Sequence, residues 1–78
     1  MEEIFKRLND VFRDVFDDDS ITVSSETTSE DIEDWDSLEH INLIVAVENE
    51  FEIKFGMNEV TGMKNVGEMA QLIFDKLH

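Results

Sequence analysis

The sequence predicts an all-α protein, a small four-helix bundle with three main helices and one short third helix. Two patterns carry this prediction: apolar residues recur at helical spacing in three stretches, and residues that commonly cap helices precede two of them. A third observation sets the size, because 78 residues provide one modest core. We therefore expect a single domain over residues 1–78, with a long loop between helices one and two.

The first helix is predicted over Glu2–Phe16. Its acidic first turn, Glu2 and Glu3, suits the positive end of the helix dipole. The run Asp17-Asp18-Asp19 suits the negative end poorly, so we expect the helix to stop before it. The apolar residues of this segment form one stripe: Ile4, Phe5, Leu8, Val11, Phe12, Val15 and Phe16.

A long acidic connection, residues 17–35, follows this helix. It is rich in serine and threonine, and its only aliphatic residues are Ile21, Val23 and Ile32. A loop of this length inside a compact domain is unusual unless it is functional or spans the bundle from end to end.

The second helix is predicted to begin at Asp36 or Ser37 and to end near Phe51. Asp36 fits the N-cap position, and Glu39 stands three residues later, where it could close a capping box. Many of its residues are β-branched, so packing must stabilise it more than intrinsic propensity does. Its predicted apolar face comprises Leu38, Ile41, Ile44, Val45 and Val47.

The last third of the chain predicts two further helices. A short turn between Gly56 and Gly62 would include Met57 and Val60, with Phe55 beside it. The final helix would begin after Asn65 as N-cap, with Glu68 three residues on. Its predicted core residues are Val66, Met69, Ala70, Ile73, Phe74 and Leu77.

Charge limits the partners that this chain can bind. Twenty acidic and six basic residues give a formal net charge of −14, which repels nucleic acid and anionic membranes. Basic patches on other proteins are the better candidates. The chain contains no cysteine, and no apolar run approaches the length of a membrane span. We expect a cytoplasmic monomer that does not bind nucleic acid or insert stably into a membrane.

Ser37 is the candidate site. It stands in the first turn of a predicted helix, directly after the long loop, where free backbone N–H groups favour an attached phosphate. On spacing alone, an ordinary capping role explains this serine better, because serine is common at helix starts.

The segment Asp36-Ser37-Leu38, followed by Ile41, the run 43–48 and Phe51, resembles the attachment motif of acyl carrier proteins. The resemblance covers the whole chain. It implies that Ser37 accepts 4′-phosphopantetheine from coenzyme A through a phosphopantetheinyl transferase, and that the arm holds acyl groups as thioesters. The protein would then be a carrier for fatty-acid, polyketide or related lipid biosynthesis, and not an enzyme.

The resemblance also implies roles for the neighbouring residues. Asp36 would help to position the transferase and its metal ion, and Leu38 would anchor the helix start or touch partners. Glu39 and Glu48 would contact basic docking patches on acyltransferases, synthases or ligases. His40 would be a surface or edge residue beside the attachment site that takes part in partner contacts.

Some residues differ from those of common fatty-acid carriers. Asn42 and Asn49 occupy polar positions of the motif helix where acidic residues are usual, and the segment 56–60 is also less acidic. Trp35, just before the motif, resembles carriers of specialised pathways. The sequence is therefore identified as similar to a specialised rather than a housekeeping member.

Other interpretations of the sequence remain open. A peptidyl or aminoacyl carrier would share the motif, and an unmodified acidic interaction domain would explain the charge. A Ser37–His40 catalytic pair would need an orienting group and an oxyanion hole. An EF-hand loop counted from Asp34 fails, because it would place Leu38 at the fifth position and Glu39 at the sixth. We therefore expect no metal site and no catalytic residue.

The aromatic and methionine residues are predicted first as core. A sharper hypothesis is that some of them line a space between the helices where an acyl chain can lie. They are Phe12, Phe16, Phe51, Phe55, Met57, Met63, Met69 and Phe74.

Overall fold

Four α-helices make up the regular structure of residues 2–78. The computed structural model describes residues 2–78, and its helices are α1 (Glu2–Val15), α2 (Ser37–Phe51), α3 (Met57–Gly62) and α4 (Val66–Leu77). α1 packs against both α2 and α4. The predicted all-α bundle with a short third helix is confirmed. Within residues 2–78, no helix is both long enough and apolar enough to cross a lipid bilayer.

The core combines one face of each long helix with three residues from the connections. Burial of these side chains supplies the main stabilising term for a domain of this size. The buried residues are Ile4, Leu8, Val11 and Phe12 of α1; Leu43, Ile44, Val47 and Phe51 of α2; Val66, Met69, Ala70 and Ile73 of α4; and Phe16, Val23 and Ile53 between helices.

The end of α1 lies one residue before the predicted one, at Val15. Asp17 adopts a left-handed backbone conformation with φ of 50°, and the Asp18 N–H donates to the Arg13 carbonyl at 3.0 Å. This arrangement satisfies a carbonyl that a helix end leaves free. The acidic run therefore ends the helix through backbone geometry as well as through unfavourable charge.

Two side chains of α1 hold the start of the long loop. Asn9 Oδ1 accepts from the Val23 N–H at 2.7 Å, and Arg13 Nε donates to the Ile21 carbonyl at 2.6 Å. Val23 is buried in the core. A loop with few apolar residues is thus fixed by hydrogen bonds to the helix that precedes it.

The middle of the loop is held by the first turn of α4. The Val66 N–H donates to the Thr27 carbonyl at 2.8 Å, and the Gly67 N–H donates to the Ser25 carbonyl at 3.0 Å. The first amides of a helix have no partner within it. These bonds therefore give partners to two N–H groups of the helix and to two carbonyl groups of the loop.

Several residues predicted as core are exposed. In α4 the buried stripe ends at Ile73, and Phe74 and Leu77 are exposed. Met57 of α3 is also exposed. In α2 the residues that face α1 and the core lie on one side, so Ile44 and Val47 are buried as predicted. Leu38, Ile41 and Val45 were predicted to share that face, and the prediction is wrong because they lie on another side of the helix.

Replacing Gly67 with alanine should destabilise the protein, although alanine favours helices. An added Cβ would lie 2.6 Å from the Ser25 carbonyl oxygen, which forces the loop away from α4. We expect a loss of about 1–3 kcal/mol, the usual cost of overpacking. Urea unfolding followed by circular dichroism measures this loss.

Gly62→Ala is the matched control for Gly67→Ala. An added Cβ at Gly62 meets nothing within 4 Å, so alanine should leave the stability unchanged or raise it by up to about 1 kcal/mol. Equal unfolding midpoints for the two variants would contradict the close contact between α4 and the loop.

Candidate functional site

Ser37 is exposed at the first position of α2. Asp36 precedes it as N-cap in an extended conformation, and Asp36 Oδ1 accepts from the Glu39 N–H at 2.9 Å. The Asp36 carbonyl accepts from the His40 N–H at 2.8 Å. The predicted helix start and N-cap are therefore confirmed, and they fix the backbone that presents the Ser37 hydroxyl.

Glu39 does not return the capping bond that the sequence predicted. The Asp36 N–H is taken by the Asp34 carbonyl at 3.0 Å. Glu39 Oε1 accepts instead from Asn42 Nδ2 at 3.2 Å, along the helix surface. The predicted capping box is thus half correct, because only the Asp36 side chain takes part in it.

The start of α2 suits a covalently attached phosphate group. The amides of Ser37 and Leu38 belong to the first turn, where no intrahelical carbonyl is available to them. They add partial positive charge at the helix end, which stabilises a nearby anion. The Asp36 carboxylate opposes this effect, but it is already engaged by the Glu39 amide.

An open groove of about 550 Å³ runs beside Ser37. Its walls come from α2, α3 and the loop before α2, and the buried side chain of Met69 on α4 forms part of its floor. The lining combines polar and apolar side chains. The apolar lining residues are Trp35, Ile41, Val60, Met63 and Met69.

His40 lines this groove and forms hydrogen bonds through both ring nitrogens. Trp35 Nε1–H donates to His40 Nδ1 at 3.1 Å, and His40 Nε2 lies 3.2 Å from the Val60 carbonyl oxygen. Because a carbonyl only accepts, Nε2 must carry the hydrogen and Nδ1 must be the acceptor. Both bonds therefore require the neutral imidazole with its hydrogen on Nε2.

This arrangement refines the sequence prediction for His40. The residue is half-buried and lines the groove beside Ser37, and its predicted part in partner contacts stays a prediction. Its two nitrogens are committed to Trp35 and Val60, which leaves neither of them to activate the Ser37 hydroxyl. The geometry thus argues against a catalytic pair.

Trp35 ties the end of the loop to the core. Its indole packs edge-on against Phe12, with ring centroids 5.3 Å apart, and against Phe16 at 6.2 Å. It also stacks on His40 at 5.9 Å. In the sequence, Trp35 stood out only through its resemblance to carriers of specialised pathways. The structure gives it a structural role as well, because these contacts fix the position of Asp36 and Ser37.

α3 contributes less to the core than the other helices, through the half-buried side chain of Val60. None of its residues is buried. Besides the contact with His40, it is tied to α4 by the ion pair of Glu59 Oε1 and Lys76 Nζ at 3.0 Å. Glu59 Oε1 also accepts from the Gly56 N–H at 2.7 Å, at the start of the helix.

These contacts make α3 sensitive to acid. The Gly56 N–H and, after it, Lys76 lower the pKa of Glu59 from its ordinary value. A lowered pKa in the folded state stabilises the fold above the unfolded-state pKa. This contribution is lost as the pH falls through the folded-state pKa.

Glu48, predicted to contact partners, has an internal partner. Its Oε2 accepts from the Phe55 N–H at 2.8 Å, and the side chain is half-buried. It therefore fixes the connection between α2 and α3. A role in partner contacts stays a prediction for both Glu48 and Glu39.

An exposed apolar stripe on α2 was not predicted from the sequence. Leu38, Ile41 and Val45 are 66%, 58% and 50% exposed, and their spacing places them on one side of the helix, beginning next to Ser37. Met57 of α3 is also exposed. The signal was present, since apolar residues occur on more than one side of α2. Within residues 2–78, no cluster of three or more His, Asp or Glu side chains is arranged to hold a metal ion.

Comparisons with known proteins place this arrangement in context. No family model matches the chain. It is 32% identical over 75 residues to the acyl carrier protein of Picosynechococcus sp., covering 96% of this chain and 93% of the relative. It is 29% identical over 72 residues to the acyl carrier protein of Lactobacillus acidophilus, covering 92% and 90%.

A solved structure is also similar. The solution NMR structure of the holo acyl carrier protein from Geobacter metallireducens superposes with a TM-score of 0.88 and is 49% identical in sequence. The match covers 94% of this chain and 84% of that one.

Two substitutions of Asp36 should show whether its capping hydrogen bond or its negative charge contributes to the stability of the protein. Asp36→Ala removes the acceptor of the Glu39 amide and should lower the free energy of unfolding by about 1 kcal/mol, the typical cost of a lost N-cap. Asp36→Asn keeps a side-chain oxygen and should retain most of the stability. Chemical unfolding of the two variants measures the difference, and equal losses would argue against the cap.

Proposed function

The chain belongs to the acyl carrier protein family, and we propose that it carries acyl groups on a 4′-phosphopantetheine arm attached to the Ser37 hydroxyl. Members of this family are carriers and not enzymes, so its chemistry would be done by other proteins. The observation that carries the proposal is the exposed Ser37 at the start of α2, within the Asp36-Ser37-Leu38 segment.

The residues around Ser37 support attachment there. The Asp36 cap holds the serine at the end of a 15-residue helix, where the dipole favours the phosphate of the arm. When attached, the arm would supply a thiol that holds the acyl group as a thioester. The exposed hydroxyl would be accessible to a phosphopantetheinyl transferase, and the Asp36 carboxylate would help to position that enzyme and its metal ion.

The exposed stripe of Leu38, Ile41 and Val45 would be the main docking surface for partner enzymes. Apolar side chains at the centre of an interface supply most binding energy, whereas surrounding charges mainly accelerate association. The net charge of −14 would steer partners with basic patches toward this surface. Glu39 would contribute locally, and Glu48 less so because of its bond to Phe55.

The partners proposed are acyltransferases, synthases or ligases of fatty-acid, polyketide or related lipid biosynthesis. The amides of Asn42 and Asn49 are exposed on α2 where they add no charge. This supports a specialised rather than a housekeeping member, whose partners recognise apolar shape next to Ser37 more than local acidity.

Intact-protein mass spectrometry tests the attachment directly. The protein is incubated with coenzyme A, magnesium and a broad-specificity phosphopantetheinyl transferase. We expect a mass gain of one phosphopantetheine in the parent and no gain in Ser37→Ala. Ser29→Ala, which changes another exposed serine of the same groove, should be modified like the parent.

Failure of the parent to gain mass, while it is folded and a known carrier is modified in parallel, would contradict the proposal. The chain would then be better explained as an unmodified acidic interaction domain. Modification of Ser37→Ala would contradict the assigned position alone.

Leu38→Ala tests the docking surface. Because Leu38 is 66% exposed, its truncation should leave the unfolding midpoint nearly unchanged. It should raise the KM of a partner acyltransferase about fivefold or more, as loss of a central apolar contact does.

Two further variants control for stability and charge in the Leu38 test. Leu43→Ala removes a fully buried leucine and should cost about 2–5 kcal/mol in stability. Glu48→Gln weakens the bond to the Phe55 N–H and should lower stability with little change in KM. If Glu48→Gln changed the KM and Leu38→Ala did not, the partner contacts would lie at Glu48 and not at the apolar stripe.

A further inference from the structure

The backbone at Ser37 lies within a hydrogen-bonded ring that the capping of α2 does not require. Trp35 Nε1–H donates to His40 Nδ1 at 3.1 Å, so the chain from residue 35 to residue 40 is closed on itself through two side chains. Ser37 lies inside this closed segment, two residues after Trp35 and three before His40. We call the segment 35–40, closed by this bond, the Ser37 ring.

Both ends of the Ser37 ring contact elements outside α2. The indole of Trp35 packs edge-on against Phe12, with ring centroids 5.3 Å apart, and Phe12 is fully buried. At the other end, His40 Nε2 lies 3.2 Å from the Val60 carbonyl oxygen. The backbone that carries the Ser37 hydroxyl is therefore held between two anchored side chains.

The bond that closes the ring adds to the main-chain bonds of the helix start. Helix ends fray, because the first amides have no intrahelical partner. The Asp36 cap binds the Glu39 N–H, and the Asp36 carbonyl accepts from the His40 N–H. The indole–imidazole bond joins the residue before this cap to the second turn. Without it, Trp35 and Asp36 can move relative to α2, so the Ser37 hydroxyl is held in one position for less of the time.

The bond that closes the ring depends on the charge of His40. A neutral imidazole with its hydrogen on Nε2 offers Nδ1 as an acceptor, whereas a protonated imidazole carries a hydrogen on both nitrogens. After protonation, Nδ1–H and the indole N–H would face each other as two donors. Histidine is the side chain that ordinarily changes its charge between pH 5 and 8. We therefore expect the Ser37 ring to be closed above this range and open below it.

Other charged groups surround His40, and they must be separated from it. They are Asp34 and Asp36 before α2, Glu39 on α2, Glu59 on α3, and Lys64 and Glu68 around the start of α4. The Gly56 N–H and Lys76 lower the pKa of Glu59, which places its ionisation below the histidine range. A substitution of His40 leaves all of these groups in place, so any response to pH that they cause persists in the variant.

We propose that neutral His40 is a positioning residue for the attachment reaction: by closing the Ser37 ring, it holds the Ser37 hydroxyl in the position that a phosphopantetheinyl transferase uses. In that reaction Ser37 Oγ forms a bond to the phosphorus of the pantetheine phosphate. The bond from this phosphorus to the adenosine bisphosphate part of coenzyme A breaks, and the hydroxyl proton passes to the transferase or to water. This inference rests on the proposed attachment at Ser37, and it adds that attachment slows when His40 is protonated.

The indole signal of Trp35, the single tryptophan of the chain, tests the ring without any transferase. As the pH is lowered from about 8 to about 5.5, across the histidine range, the indole ¹H and ¹⁵N shifts of the parent should move together with the His40 ring signals. His40→Asn places an amide oxygen where Nδ1 was, one bond beyond Cγ, and this oxygen does not change its charge. The Trp35 signal of this variant should therefore stay constant. A constant signal in the parent, while His40 is protonated, would overturn the proposal.

Competition between parent and His40→Asn tests the effect on attachment, because the transferase's own response to pH then cancels. The two proteins are mixed with coenzyme A, magnesium and a limiting amount of transferase, and intact-protein mass spectrometry gives the ratio of their initial rates. We expect the ratio of parent to variant to fall about twofold to tenfold between about pH 8 and about pH 5.5, which is the effect of one hydrogen bond.

Trp35→Phe distinguishes the bond from the charge of His40. The variant keeps an aromatic ring against Phe12 and keeps the titrating imidazole, but it has no donor for Nδ1. In competition with His40→Asn, its ratio should be low and independent of pH. In direct competition with the parent, the two rates should become equal as the pH falls. A ratio that falls with pH in Trp35→Phe as it does in the parent would mean that the charge acts directly on the transferase, and this would overturn the proposal.

The mass measurement also separates this inference from the attachment itself. A ratio of parent to His40→Asn that does not change with pH, while both proteins gain the mass of the arm, would overturn only the role of His40. Failure of both proteins to gain mass, while a known carrier is modified in parallel, would overturn the attachment at Ser37 together with this inference.

Discussion

Two hydrogen bonds from the first turn of α4 hold the long loop in place, and the position of Ser37 depends on them. The amides of Val66 and Gly67 donate to the carbonyls of Thr27 and Ser25, so the free donors of a helix start become the anchor of a segment with few apolar residues. The approach is possible because residue 67 has no side chain. With its middle held there and its start held by α1, the loop delivers Trp35 to the core, and Asp36 then begins α2 next to it.

The sequence predicted those features that depend on neighbours along the chain. The Asp36 and Asn65 caps, the short third helix and the inward face of α1 follow from spacings of three or four residues. Features that depend on distant segments were not predictable. Gly67 meets Ser25 across 42 positions, and Glu48 turns toward Phe55 because the chain bends back after α2. In α2 the predicted face combined apolar residues from two sides of the helix, and it was wrong in part because packing against α1 buries the side that holds Leu43, Ile44 and Val47.

The positions of the basic residues explain why the acidic charge dominates the surface of the molecule. Arg7 pairs with Glu50 at 2.9 Å and lies over the ring of Phe51, while Arg13 holds the loop and Lys76 holds α3. Half of the six basic side chains thus serve internal contacts, and the acidic excess dominates what a partner meets at a distance. Such a field acts over about one Debye length, roughly 8 Å at physiological salt. The acidic charge would therefore attract basic partners without distinguishing between them. Discrimination between partners would depend on the apolar stripe beside Ser37.

The two sides of Ser37 differ in how firmly they are anchored to the core. On one side, the Asp36 cap and the aromatic contacts of Trp35 connect the site to fully buried residues. On the other side, α3 contributes only the half-buried side chain of Val60 to the packing against the core. Two polar contacts accompany it: the Glu59–Lys76 ion pair and the hydrogen bond between His40 and the Val60 carbonyl. Local stability generally follows such burial, so α3 is expected to open at lower free energy than α2. An arm attached at Ser37, as proposed, would therefore extend from a firmly anchored helix start, next to a helix of lower local stability.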